Sequence, residues 1–122
     1  MLLRHQQGFS LIEALVATAI LSFSLLGFAQ AHLLALRASE QAYLINLADL
    51  KNLELAETFK ICDSHPNCIQ QALLLWNKEI QESFPKGIGK ISSFNFSNHE
   101  VKIQWFFPFS KFPSSLSLLF SV

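Results

Sequence analysis

The chain has 122 residues, of which 51% are hydrophobic and 15% are charged, and its nine basic side chains balance nine acidic ones. That length allows one domain and little more. Zero net charge without a basic run argues against non-specific nucleic-acid binding, which needs phosphate neutralisation, and the high apolar content argues against disorder.

The apolar residues are concentrated near the N terminus. Residues 9–36 carry a single formal charge, on Glu13. As a helix, residues 9–29 would be about 31 Å long, which is close to the hydrocarbon thickness of a bilayer. The alternative is a buried core helix, but the rest of so short a chain could hardly surround an apolar cylinder of this length. We therefore predict a membrane-spanning helix over residues 9–29.

A short polar leader, residues 1–8, precedes this segment and ends in Gly8. An ordinary secretory signal is the alternative, because Ala29-Gln30-Ala31 has the small-x-small form that signal peptidase accepts. Glu13 argues against that alternative, since a carboxylate costs up to about 3 kcal/mol at the centre of a bilayer. We therefore expect Glu13 to have a specific partner and a function.

The sequence Gly8-Phe9-Ser10-Leu11-Ile12-Glu13 resembles the cleavage and methylation signature of type IV prepilins and type II secretion pseudopilins. The resemblance implies that a prepilin peptidase cuts between Gly8 and Phe9 and that the new amino group of Phe9 is N-methylated. It also implies that the following segment anchors the chain in the bacterial inner membrane, with the C-terminal domain in the periplasm. Glu13 would then help to dock the subunit into a filament.

Simple electrostatics agrees with this role for Glu13. After cleavage Phe9 carries a cationic amine at the start of the helix, and Glu13 lies one turn further along the same face. Unpaired charges are costly in an apolar filament core, so the amine of one subunit and the carboxylate of its neighbour would satisfy each other. The alternative is an interfacial Glu13 that does not affect assembly. Arg4 and Arg37 flank the segment, so the positive-inside bias is weak and the orientation depends on the resemblance.

Helical character continues beyond the membrane segment. Residues 30–61 contain no proline and no glycine and are rich in strong helix formers. Their apolar residues recur at roughly helical spacing, which predicts an amphipathic continuation of the same helix that packs on a globular partner. The alternative is two helices that are separated near Ala29.

A loop closed by two cysteines follows at residues 62–68. In an exported domain, Cys62 and Cys68 are expected to form an intrachain disulfide. The alternative is a metal site that also uses Asp63 and His65. It is weaker, because the cysteine spacing is wider than in a zinc knuckle and no second Cys/His pair is present. We therefore predict no metal and no cofactor.

Residues 62–122 are predicted to form a small periplasmic α+β domain, which gives a pilin-like fold with a long N-terminal helix packed against a small antiparallel sheet. The apolar tail, residues 108–122, is too short to span a membrane. It is expected to supply an edge strand, and the alternative is a binding segment for a partner subunit. In order, the pattern predicts a helix over residues 69–83, a turn over 84–89, strands over 91–96 and 101–107 joined by a turn at 97–99, and the edge strand over 116–122.

Several features beyond the leader resemble PilV-type minor pilins. They are the cysteine after the long helix, Trp76, the Phe84-Pro85-x-Gly87 turn and Trp105. Two parts of the sequence depart from the PilV-type pattern. Ser24 stands near the membrane exit, where the pattern would have glycine, and residues 108–122 match no part of the pattern. The resemblance implies a minor pilin that primes or modulates pilus assembly, with the major pilin, other minor pilins and the assembly platform as partners.

The resemblance does not choose among roles in twitching, adhesion and DNA uptake. A type II secretion minor pseudopilin is the nearest alternative, and a secreted binding protein cleaved after Ala31 is a more distant one. We predict no enzyme, because no triad order or metal motif links the four histidines. These are His5, His32, His65 and His99.

Overall fold

The computed structural model describes residues 2–63, 65–93 and 97–122, with side chains from Ser10 onward. A long N-terminal helix and a small antiparallel sheet confirm the predicted α+β class. The chain divides into two compact units, Met1–Gln41 and Ala42–Val122. The elements in chain order are α1 (Leu2–Cys62), α2 (Pro66–Ser83), β1 (Ile88–Ser93), β2 (Asn98–Trp105) and β3 (Ser114–Ser121).

The first unit is the N-terminal part of α1. Every side chain of residues 10–36 is exposed, and the helix continues through Ala29, so the alternative of two helices is wrong. Three hydroxyl groups on this apolar surface donate to backbone carbonyls of the same helix, which is how polar side chains are satisfied in lipid. These hydrogen bonds run from Thr18 to Leu15 (2.9 Å), from Ser22 to Thr18 (2.7 Å) and from Ser24 to Ile20 (2.8 Å).

The second unit packs the C-terminal part of α1, α2 and the sheet around one apolar core. The strand order is β1-β2-β3, and both pairs are antiparallel, so β2 is central. Alternate residues of β2 face the core because side chains alternate along a strand. The buried core residues include Leu55, Trp76, Ile80, Val101, Ile103 and Trp105.

Polar contacts join the two helices of this unit. The indole Nε1 of Trp76 donates a hydrogen bond of 3.1 Å to the backbone carbonyl of Lys51. The ammonium of Lys51 pairs with the Glu79 carboxylate on α2 and, at 3.0 Å, with Glu54 on α1. The hydrogen bond from Lys51 to Glu79 raises the pKa of Lys51 above its usual value. Gly89 of β1 lies directly against the Trp76 ring, so a side chain at that position would collide with it.

The raised pKa of Lys51 predicts a loss of stability in alkali. A lysine whose pKa is higher in the folded state stabilises the fold below its unfolded pKa and stops doing so as the pH rises through the folded value. We expect Glu79→Gln to cost less than about 1 kcal/mol at neutral pH, because the pair is partly exposed. The variant should also lose less stability than the natural chain between about pH 9 and 12. Thermal unfolding of the full chain in detergent measures both effects, and identical alkaline losses in the two proteins would contradict this role.

The boundaries of two predicted elements need correction. Helix α2 begins at Pro66 rather than at residue 69, because proline fits the first turn of a helix, where its missing N–H has no partner to lose. The predicted turn over residues 84–89 ends earlier, since Ile88 and Gly89 already pair with β2.

The predicted hairpin and edge strand are also displaced. The turn predicted at residues 97–99 is wrong, because Asn98 and His99 belong to β2 and pair with β3. Strand β2 ends at Trp105, although Phe107 beyond it is still buried. Strand β3 covers Ser114–Ser121 instead of residues 116–122, and Phe94 and Phe96 of the predicted first strand lie outside the described residues.

Candidate functional site

Glu13 lies on the exposed surface of α1, in the first unit. The backbone of Gly8 and Phe9 belongs to the same helix, so the predicted cleavage bond is inside α1 and no helix boundary marks it. The structure gives the Glu13 carboxylate no polar partner among the described residues. A lone acid in an apolar segment of a helix is suited to pair with a cation from another molecule.

The apolar surface around Glu13 is continuous. Leu11, Ile12, Leu15 and Val16 are 67%, 65%, 66% and 52% exposed, so large apolar side chains flank the carboxylate. In the part of the chain that the structure describes, one helical segment, Ser10–Cys62, is long and apolar enough to cross a membrane. This surface can contact lipid, and it can equally pack against other apolar helices.

The cysteine loop joins the two helices of the second unit. Cys62 is the last residue of α1 and Cys68 lies in the first turn of α2, and their sulfur atoms are at disulfide-bonding distance, with Cα atoms 5.6 Å apart. The backbone N–H of His65 donates to the Cys62 carbonyl at 3.0 Å, which tightens the loop. This arrangement fits the expected disulfide, and thiols that are joined in a disulfide are not thiolate ligands for a metal.

The disulfide is expected to stabilise the second unit by about 2 kcal/mol, because it closes a short loop in the unfolded chain. Reduction of the full chain in detergent should lower its unfolding temperature. The Cys62→Ser, Cys68→Ser double variant should be at least as unstable as the reduced chain, since Cys62 is also buried. Free thiols in material isolated without reducing agent would contradict the disulfide.

The structure brings together one group of residues that the sequence pattern did not reveal. The His99 ring lies 5.8 Å from Phe59 and 5.5 Å from Phe120, measured between ring centroids. Phe59 and His99 also line a cavity of about 300 Å³ in the second unit. No local spacing could have shown this cluster, because its members come from α1, β2 and β3. The cavity is lined by Phe59, Ile69, Leu73, Ile91, Ser93, His99 and Val122.

The N-terminal segment is similar to one known protein family. Residues 3–29 match the prokaryotic N-terminal methylation motif. The matched stretch includes the bond between Gly8 and Phe9 and the carboxylate of Glu13. The match supports a protein of the type IV pilin family, either a pilin or a pseudopilin, and it points to a structural protein. No curated protein and no solved structure matches the chain.

The motif also bears on processing and location. It implies cleavage by a prepilin peptidase and assembly with other pilins. Together with the long apolar helix, it fits anchoring in a membrane before incorporation into a filament. The match does not extend into the second unit, so it does not distinguish one kind of pilin from another.

Proposed function

We propose that the chain is a PilV-like minor pilin of the type IV pilus, which primes or modulates pilus assembly. The observation that carries the proposal is that the methylation motif, an exposed apolar helix and a single acid coincide in one segment. A small α+β unit with its own core follows this segment. That combination serves a subunit that is stored in a membrane and then moved into a filament of like subunits.

In this proposal, the peptidase cuts between Gly8 and Phe9, and the new amino group of Phe9 is methylated. Removal of the leader takes away Arg4, so the mature chain has eight basic and nine acidic side chains, a formal charge of 8 − 9 = −1. Residues 9–29 hold the subunit in the inner membrane, and residues 62–122 lie in the periplasm. The partners are the prepilin peptidase, the assembly platform, the major pilin and other minor pilins.

Docking depends on one pair of charges. Both the amine of Phe9 and the carboxylate of Glu13 lose hydration when the apolar helices pack together, and each neutralises the other across the subunit contact. The pairing fixes the axial register, because a slip of one helical turn along the apolar rod would leave both charges unmatched. Apolar packing therefore holds neighbouring subunits together, and the charge pair made by Glu13 sets their axial register.

A minor pseudopilin of a type II secretion system is the second candidate, because the methylation motif also fits pseudopilins. Deletion of the gene separates the two, with surface pili and exoprotein release scored in the same strain. Loss of pili with normal secretion is expected for the proposed function. Intact piliation with lost secretion would overturn it in favour of the pseudopilin.

Complementation sharpens this test. The deletion strain should regain pili with the natural gene and with Thr18→Ala, whose hydroxyl is already satisfied inside α1. It should not regain them with a variant whose leader cannot be cleaved. A secreted binding protein, cleaved after Ala31, would instead be found free in the medium.

A further inference from the structure

The segment that connects β2 to β3, residues 106–113, exposes large aromatic side chains; we call it the aromatic loop. Phe109 and Phe112 are 72% and 78% exposed. The loop is nevertheless ordered by its own hydrogen bonds. The backbone N–H of Ser110 donates to the Phe107 carbonyl at 3.2 Å, and its hydroxyl donates to the Phe112 carbonyl at 3.0 Å. Aromatic rings held in water on an ordered loop indicate a contact with an apolar phase or partner.

The aromatic loop lies at one particular end of the second unit. On α1, Phe59 contacts His99 at the start of β2, whereas Asn52, two turns earlier, reaches the Leu116 carbonyl opposite Ile103. Strand β2 therefore runs antiparallel to α1. The loop after β2 is thus at the end where α1 enters the unit from Gln41.

That end is close in sequence to the apolar segment. Arg37 is the first charged residue after Glu13, and the second unit begins at Ala42, only five residues later. Five residues of helix span about 8 Å, which is similar to the thickness of the headgroup region of one leaflet. Along the chain, this end of the second unit is therefore the part that follows the apolar segment directly.

The charges of the loop complement an anionic surface. Lys111, between the two exposed phenylalanines, is the only charged residue of the aromatic loop. A second exposed lysine, Lys86, follows Pro85, whose carbonyl accepts a 3.0 Å hydrogen bond from the backbone N–H of Phe106. Lysines beside apolar rings are the pattern of interfacial membrane binding, in which each cation adds attraction to anionic lipid.

We propose that the aromatic loop inserts into the surface of the bilayer that anchors the chain. Phe109 and Phe112 would lie at the boundary of the acyl chains, and Lys111 would lie among anionic phospholipid headgroups. The proposal rests on the membrane anchoring in the proposed function, and it adds a second membrane contact, made by the globular unit before assembly. Release of this contact would then accompany incorporation into a filament.

Tryptophan quenching tests the proposal on the full chain in vesicles of phosphatidylcholine and phosphatidylglycerol. Phe112→Trp places a reporter in the aromatic loop, and Leu119→Trp is the matched control, because Leu119 is 70% exposed near the other end of β3. The native tryptophans, Trp76 and Trp105, are at most 4% exposed and give a common background. Brominated lipid should quench the added emission of Phe112→Trp and leave that of Leu119→Trp unchanged.

The charge contribution has its own control. In the Phe112→Trp chain, Lys111→Glu should reduce quenching in anionic vesicles, whereas Lys78→Glu on α2 should not. Equal quenching with Lys111→Glu would overturn the role of that lysine.

A chain that floats with the vesicles but shows no quenching at position 112 would overturn the proposal and leave the anchoring intact. Cross-linking of position 112 to a second copy, without quenching, would also overturn it. A chain that does not float would overturn the anchoring as well.

Discussion

Replacing Glu13 with glutamine should abolish incorporation of the chain into pili. The variant keeps the shape of the side chain but leaves the neighbour's terminal ammonium without a counter-charge in an apolar contact. Such an unmatched buried charge costs about 3 to 5 kcal/mol, which corresponds to a loss of more than about a hundredfold in the docking equilibrium. Immunoblots of sheared pili and of membranes measure the two populations, and the variant should be found in the membranes alone.

Thr18→Ala is the matched control for this variant. It removes a polar group from the same exposed helix, but that hydroxyl is bonded to the Leu15 carbonyl within the helix and needs no partner subunit. We expect Thr18→Ala to enter pili at the natural level. Normal incorporation of Glu13→Gln would contradict the docking role and would favour a carboxylate that simply stays at the membrane surface.

Trp105→Ala should destabilise the second unit by about 3 to 5 kcal/mol, the usual cost of removing a large aromatic ring from a core. The ring is 1% exposed and its centroid lies 5.4 Å from that of Phe84. A domain of this size has a total stability of only about 5 to 10 kcal/mol, so the loss is a large part of it. Thermal unfolding of the full chain in detergent should show a decrease of more than about 12 °C.

The neighbouring residue provides the control. Phe106→Ala also deletes an aromatic ring, but Phe106 is 37% exposed, next in sequence to the buried Trp105. Its effect on the unfolding temperature should be much smaller. Equal decreases for the two variants would contradict the assignment of Trp105 to the core and of Phe106 to the surface.

The long helix and the lone acid could be predicted from the sequence because their signals are local. An apolar run, the absence of proline and glycine over residues 30–61, and the motif around Gly8 each lie in one continuous stretch. The strand boundaries could not be predicted as well. The pairing of Asn98 with Ser121 sets the start of β2, and it joins residues that are far apart in the sequence.

The candidate sites differ in the same way. Glu13 and the two cysteines were evident from spacing, whereas the cluster of Phe59, His99 and Phe120 depends on how three elements pack. Asn52 is similar. It is fully buried on α1, and its amide nitrogen reaches the Leu116 carbonyl of β3 at 3.5 Å, a long contact that helical periodicity alone gives no reason to expect.

The prepilin interpretation is tested most directly by mass spectrometry of the N-terminal peptide. The protein is purified for this from the cells that naturally produce it. Cleavage after Gly8 predicts a mature chain that begins with N-methylated Phe9. An intact leader, or a chain that begins at His32, would contradict it.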